Sequence, residues 1–485
     1  MDNIKKNLTT TFVKVFGFNF GLIAFGSAYL LLRFEYLNKL IPLWYTMPWG
    51  TQQLTTRVHI FVLPALMALI TSCSVVLIYF MKKFYLRYGT TLMYAFTTLC
   101  NLLLSYAIVR TIIVASSPFK PIIKPEYLNL MAPILVSFLV VYFATPKLME
   151  KIKEKGVVTD PQKHNHPGMI LTQPSARGGG VIFTLGVLVA ALFFTKLTPT
   201  VVGLLISMVL AAIIGFADDL QNTKPISKLK KLENPFIRFG LQILVILPII
   251  IAGVQIKFIS NPFNGIIHLD ALKFNLLGTA ILPIAIGFTI FWMLWIMNLL
   301  SWANGVDGQY SGMVGIAAVV IAVITMRETP LTIEQQNMVN LAAITAGASF
   351  GLLPYSWYPA KIMWGFGAIT AGISLATIST LTEAKIATAL IVLLVPFLDG
   401  VVTILRRILS GNSPLKGDRG HLHHLLLQKG WGRRRIAVFY WVATLLSGYI
   451  GIMSADKDPL LTAITLGGFA AFFIILTNIK ARRSQ

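Results

Sequence analysis

Long apolar runs alternate with short polar stretches along the whole chain. Their centres fall near residues 21, 70, 103, 136, 188, 208, 247, 287, 319, 346, 371, 394, 446 and 468. A run of about 18 apolar residues or more is long enough to cross a bilayer as a helix. The pattern therefore predicts an all-α, polytopic integral membrane protein of about 14 transmembrane helices. The first run, residues 11–32, follows Lys5 and Lys6 and carries no small-residue cleavage site. It is expected to stay as an anchor and not to be removed as a signal.

Composition strengthens this reading. Hydrophobic residues make up 56% of the chain and charged residues 12%, against roughly 25% charged in an ordinary soluble domain. So sparse a charge cannot hydrate a globular surface, and lipid must be the solvent. The two cysteines, Cys73 and Cys100, lie inside apolar runs and offer neither a disulfide framework nor a metal set. With the N-terminus inside, the predicted cytoplasmic segments hold about 28 of the 41 Lys and Arg, and the outer loops about 11, as the positive-inside rule requires. The net charge of +23 is thus first a topology signal. Basic loops also attract anionic head groups, and with no soluble domain to carry it, nucleic-acid binding is not expected.

Acidic residues number only 18, so their places are informative. Asp218 and Asp219 end a run in "GFADD", Asp307 follows one in "SWANGVDG", Asp399 lies late in one in "VPFLDG", and Asp418 precedes a histidine group. On the loop count all five face the cytoplasm. A carboxylate at that boundary is costly unless solvated, paired or metal-bound. Adjacent carboxylates repel unless a cation or proton shares the site, and Mg²⁺ beside a diphosphate would supply one. Near the C-terminus, "GNSPLKGDRGHLHHLLLQKGWGRRR" gathers His421, His423 and His424 among cations. Zinc, a solvated loop and a phosphate site are the three readings. Imidazoles and guanidiniums both donate to phosphate oxygens, so the loop suits an anion. In "QPSARGGGVIF", Arg177 precedes Gly178, Gly179 and Gly180. These glycines serve either close helix packing or backbone approach to a phosphate at a helix start.

Together these motifs resemble the polyprenyl-phosphate N-acetylhexosamine-1-phosphate transferases, over about residues 126–480. "HNHPGMILTQPSARGGGVIF", with His166 and Pro167, is similar to the family's first loop, and "GFADD" to its aspartate pair. "PFLDGVVTILRRILSGNSPLKGDRGHLHHLLLQKG" is the most specific match, and its His-x-His-His form resembles the branch using simple UDP-N-acetylhexosamines rather than the lipid I branch. Where the family reads Asn-x-x-Asn-x-x-Asp-Gly-x-Asp-Gly, this chain places Asn298, Ser301, Asn304 and Asp307 at the four polar positions. Where it has a metal-holding aspartate after "PAKI", this chain has Phe366, with Met363 at the position of an aromatic that stacks on uracil and Trp364 one residue along as a substitute.

The resemblance implies transfer of N-acetylhexosamine-1-phosphate from a UDP-sugar to undecaprenyl phosphate, with release of UMP, at the cytoplasmic face of the plasma membrane. It gives catalytic roles to Asp218, Asp219, His421, His423 and His424, and makes Asp218 and Asp219 ligands of Mg²⁺ or Mn²⁺. Arg177, Asn298, Asn304, Asp307, Asp399, Asp418 and Arg419 are the implied substrate-binding residues, with Asp307 on the uracil edge. A homodimer is compatible with it. Residues 1–125 fall outside the resemblance and form an extension of about three helices; residues 126–485 form a transferase-like domain of about eleven. Phe366 raises an alternative, a catalytically impaired relative that binds polyprenyl phosphate or acts as a scaffold. A transporter is the competing class for any many-span chain, but no internal repeat is visible and the acids sit at one interface. "NPFNGIIHLDALKF" and "TPLTIEQQNM" are expected to be short outer loops.

Overall fold

A computed structural model describes residues 2–43, 53–83, 87–116, 125–162, 171, 173–224, 226–261, 265–276, 279–327, 330–381, 385–413, 420–454, 462–468, 471 and 474. The chain divides into two compact units, Met1–Pro125 and Glu126–Gln485. Asp418, Arg419, His166 and Pro167 lie outside the described residues.

The first unit contains helices α1 (Asp2–Arg33), α2 (Val62–Lys83) and α3 (Arg87–Ala115), with a short hairpin of β1 (Leu40–Pro42) and β2 (Leu54–Thr56). Its helices are joined by an apolar cluster around Leu30, Ile60, Met67, Ile108 and Ile112. They are also joined by amides and hydroxyls: Asn101 donates to Asn19 at 2.7 Å and to Thr71 at 2.8 Å, and Asn19 donates to Thr98 at 3.1 Å. Lipid tails are as apolar as the helices, so packing and such interhelical hydrogen bonds hold membrane helices together.

A single turn, α4 (Pro125–Leu128), lies at the division. The second unit then runs through α5 (Met131–Glu154), α6 (Gly179–Phe194), α7 (Pro199–Thr223), α8 (Pro235–Ile251), α9 (Pro283–Trp302), α10 (Gln309–Thr325) and α11 (Ile333–Ser356). It continues with α12 (Ile369–Leu381), α13 (Lys385–Val392), α14 (Leu394–Leu409), α15 (Leu422–Gln428) and α16 (Arg433–Ser454). Helix α11 is packed on α5, α6, α10 and α12. Its Gly347 and Gly351 sit so close to α5 that an added Cβ would meet the Ile134 carbonyl oxygen at 2.0 Å and that of Phe138 at 2.6 Å. Small residues one turn apart let two membrane helices approach at backbone distance.

Among the described residues, eight helices are long and apolar enough to cross a membrane: α1, α2, α3, α5, α7, α9, α11 and α16, some extended by flanking turns. Four shorter apolar helices cover α6, α8, α10 and the segment Gly365–Leu381. Large apolar side chains face outward along these elements, among them Phe143, Phe193, Leu192, Ile251 and Leu445. That arrangement suits lipid and not water, and the protein is a multi-pass, all-α membrane protein. Of the expected fourteen centres, the one near 394 falls where α13 gives way to α14, and the one near 468 falls at the edge of the described residues.

Two expected loops are structured. The segment read as an outer loop around residues 261–274 carries hairpins of β5 (Phe258–Ser260) with β6 (Ile266–His268), and of β7 (Phe274–Leu276) with β8 (Thr279–Ile281). Before them in the chain come β3 (Val158–Thr159) and β4 (Ser175–Arg177), and after them β9 (Ile362–Met363). Polar "TIEQQNM" begins α11: Thr332 and Gln335 form a reciprocal capping box, which satisfies backbone N–H groups that a helix start leaves open.

Candidate active site

The site is organised by three strands of two or three residues each. Strand β4 pairs antiparallel with β3 and parallel with β9, setting Ala176 opposite Ile362 and Arg177 opposite Met363. This ties the segment before α6 to the one before α12. The glycines follow from that tie. An added Cβ on Gly179 would meet the Met363 oxygen at 3.1 Å, and one on Gly180 would meet the Gly367 oxygen at 2.3 Å. Of the two readings of the Arg-Gly-Gly-Gly element, the structure supports close packing for these two glycines.

The C-terminal end of α7 carries Asp218 and Asp219, both buried. Each is matched to a cation. Asp218 Oδ1 lies 2.6 Å from Arg238 Nη2 of α8, and its Oδ2 accepts from Asn222 at 2.7 Å. Asp219 Oδ1 accepts from the Phe366 backbone N–H at 3.0 Å and from Arg177 Nη1 at 3.4 Å. Arg177 is oriented in turn, since its Nε donates to Thr159 Oγ1 at 2.5 Å. Gly365, at φ +60°, lies flat on the carboxylate; an added Cβ would be 2.1 Å from both Asp219 oxygens.

A cavity opens beside this pair, with Arg177, Asn304, Asp307, Ser311, Met363 and Trp364 in its lining. Asn304 donates to the Gly365 carbonyl at 3.4 Å, and Asp307 Oδ2 accepts from Ala360 N–H at 3.2 Å. Burial pushes the Asp307 carboxyl up, an effect offset by that N–H and by the charge of Arg433. Trp364 does not stack on a ligand. It is 2% exposed, donates its Nε1–H to Ser311 at 2.8 Å and packs between Phe183 and Tyr310. The sequence-based substitution of Trp364 for a uracil-stacking aromatic is therefore corrected: its ring faces are spent in the core. Met363 does reach the cavity.

The histidines flank the same loop. His423 presses on Gly305, where a Cβ would be 2.0 Å from its Nε2, and so touches the chain between Asn304 and Asp307. Its ring stacks parallel to that of His421 at 5.7 Å and lies 4.3 Å from that of His424. Burial pushes the His423 imidazole well below the ordinary histidine range, with His424 and His421 adding to the effect. Asp399 lies beneath. Its Oδ2 is 3.2 Å from His421 Nδ1 and its Oδ1 accepts the Leu422 N–H at 2.7 Å. Both oxygens are thereby engaged, so Asp399 acts here on His421 and the start of α15.

The structure thus brings together Arg177, Asp218, Asp219, Asn304, Asp307, Asp399, His421, His423 and His424 through continuous contacts. Asn298 stands apart. Its amide is paired reciprocally with Gln242 of α8, at 2.6 and 3.2 Å, and it does not line the cavity. Residue patterns did not point to Arg238, Thr159, Asn222 or Gln242. Arg238 was visible only as one of many cations in a basic loop, and nothing in the local sequence distinguishes it.

The donor set does not fit a divalent cation. Mg²⁺ is octahedral and is usually held by one or two carboxylates whose oxygens are open to it, with waters and phosphate oxygens completing the shell. Of the four carboxylate oxygens of Asp218 and Asp219, three face a guanidinium or an amide, and Asp219 Oδ2 alone is buried with neither. The neighbouring side chain is Phe366, which has no oxygen to give. No cluster of three or more His, Cys, Asp or Glu suited to a metal occurs among the described residues.

Residues 201–383 match the family described as glycosyl transferase family 4. The chain is 26% identical over 381 residues to a decaprenyl-phosphate N-acetylglucosaminephosphotransferase of Mycolicibacterium smegmatis, covering 72% of this chain and 88% of that one. It is 27% identical over 332 residues to a probable undecaprenyl-phosphate N-acetylglucosaminyl 1-phosphate transferase of Bacillus subtilis, covering 66% and 84%. It is 25% identical over 342 residues to a phospho-N-acetylmuramoyl-pentapeptide-transferase of Enterococcus faecalis, covering 66% and 97%. With a buried aspartate pair, a cavity and a histidine helix meeting around one loop, and with relatives in both branches, the chain is similar to the polyprenyl-phosphate sugar-phosphate transferases of glycosyl transferase family 4.

Proposed function

We propose that this protein transfers N-acetylhexosamine-1-phosphate from a UDP-sugar to undecaprenyl phosphate, an initiating step in cell-wall or surface-polysaccharide synthesis. A phosphate oxygen of the lipid attacks the sugar-proximal phosphorus of the UDP-sugar. The new P–O bond forms as the bond to the other phosphate breaks, and UMP leaves. Phosphoryl transfer of this kind leaves the protein mainly positioning and charge stabilisation to provide. Asp219 Oδ2, buried without a hydrogen-bond partner, is the oxygen suited to take a proton from the lipid phosphate or to align it. Arg177, shared between Asp219 and the cavity, faces the diphosphate, and Asn304 and Asp307 suit the polar edge of a base. The charge of the basic loops supports a cytoplasmic position for this face under the positive-inside rule. Of the fourteen expected crossings, the four shorter apolar helices would supply spans beyond the eight long ones.

The observation that carries this reading is the arginine shared by the aspartate pair and the cavity, because it joins a candidate acid–base group to a candidate nucleotide site. The test is transfer of radiolabel from UDP-N-acetylglucosamine to undecaprenyl phosphate by the purified protein. Asp219→Asn is expected to lower turnover by about a hundredfold or more, the scale on which a charge-stabilising or acid–base group acts. Near-normal turnover at matched folding would move the chemistry elsewhere. Binding of the lipid without transfer would instead support the scaffold reading, which Phe366 beside the pair favours.

A further inference from the structure

The aspartate pair of this chain already has its counter-ions. Arg238 is held at three points: its Nε donates to the Leu232 carbonyl at 2.6 Å, its Nη2 meets Asp218 at 2.6 Å, and its guanidinium lies over the Phe366 ring at 5.3 Å from the centroid. Phe366 completes the arrangement from the other side, since its backbone N–H binds Asp219. Arg177 is fixed on Asp219 by Thr159. Two buried carboxylates thus meet two guanidiniums, and the cluster is formally neutral. A divalent cation bridging both carboxylates would have to displace, from Asp218, an arginine that is paired, hydrogen-bonded and stacked on an aromatic face. Cations over aromatic rings gain further when partly desolvated, and Arg238 is mostly shielded, with 31% of its side chain exposed.

We propose that Arg238, seated on Phe366, together with Arg177, takes the charge-balancing place that a divalent cation would otherwise hold. On the transferase reading, this makes the protein a metal-independent member of its superfamily. Phe366 is then not a lost ligand. It is the platform of a replacement cation, and Arg238 and Phe366 act as one unit. A guanidinium binds phosphate oxygens in a fixed fork, so the exposed side of Arg238 also presents donors to the lipid phosphate or the diphosphate.

The test uses the full chain, stripped with EDTA, in detergent. Mn²⁺ is titrated and followed by electron paramagnetic resonance, and transfer from UDP-N-acetylglucosamine is measured in excess EDTA and in Mg²⁺. The unaltered protein is expected to take up no stoichiometric Mn²⁺ and to transfer in EDTA within about twofold of its rate in Mg²⁺, as a site stabilised by fixed donors would. The paired change Arg238→Gln with Phe366→Asp restores an oxygen ligand and removes the cation. It is expected to bind about one Mn²⁺ per chain, since oxygen donors suit that ion. Uptake of about one Mn²⁺ by the unaltered chain, abolished by Asp219→Asn, would overturn the proposal, because the pair would then be a metal site. So would a collapse of transfer in EDTA. If no transfer occurs under any condition, the transferase reading fails, while the Mn²⁺ titration of the unaltered chain still decides the charge question. It does so without any variant having to fold.

Discussion

Asp399 illustrates how one residue shapes the site without reaching it. Its carboxylate holds His421 through Nδ1 and the start of α15 through the Leu422 N–H. A carboxylate that fixes an imidazole in this way sets which nitrogen points outward. Asp399→Asn keeps an acceptor for the Leu422 N–H but removes the charge facing the imidazole. It is expected to lower kcat by about tenfold to a hundredfold, the range seen for partners that orient a reactive histidine or ligand. KM for the UDP-sugar should change little, and Asp399→Glu should recover part of the rate. A matched rise in KM with kcat unchanged would mean that Asp399 binds substrate directly. At this scale the sequence was informative about which groups carry charge, because so few acids occur in so apolar a chain. It was silent on what each acid touches. Asp399 and Asn298 look like ligands from their motifs, yet one is bound to a histidine and the other to Gln242.

At the scale of elements, the close approach of α11 to α5 is the most exposed to test. The Gly347 position meets the Ile134 carbonyl and the Ser137 hydroxyl within 2.2 Å of where a Cβ would stand. Gly347→Leu must therefore force the helices apart. Overpacking in a well-packed core typically costs about 1–3 kcal/mol, and here the displaced partner is backbone, so the loss should sit at or above that range. Size-exclusion profiles in detergent should show loss of monodisperse protein and a lower melting midpoint, while Gly468→Leu, with nothing near its Cβ, should behave as the unaltered chain. A monodisperse Gly347→Leu protein with an unchanged midpoint would show that the two helices are not held at backbone distance. The eight long helices were legible in the sequence because each of their apolar runs meets its length requirement locally. The short strands were not. Strands β3, β4 and β9 hold two or three residues each, too few for any period to register, and their pairing spans segments far apart in the chain.

For the whole molecule, orientation in the membrane is the property to measure. With Cys73 and Cys100 replaced by serine, a single cysteine at Lys155 or Asn412 should resist a membrane-impermeant thiol reagent in intact cells and react once the cells are opened. A single cysteine at Ile266, on the hairpin of β5 and β6, should react in intact cells. Ready labelling at position 155 or 412 in intact cells would invert the topology and remove the site from the cytoplasm. The apolar runs and the bias of Lys and Arg were enough, as sequence, to determine that the chain spans a membrane many times and to mark where its acids and histidines gather. Both follow from requirements that each segment meets alone: a run must satisfy hydrocarbon, and a loop must carry its charge. The joining of Phe366 to Asp219 across 147 residues, the seating of Arg238 on Phe366 and Asp218, and the use of Gly179 and Gly180 as packing surfaces were decided only by the tertiary structure. Those features are distances between segments, and a distance between segments exists only once the helices have packed.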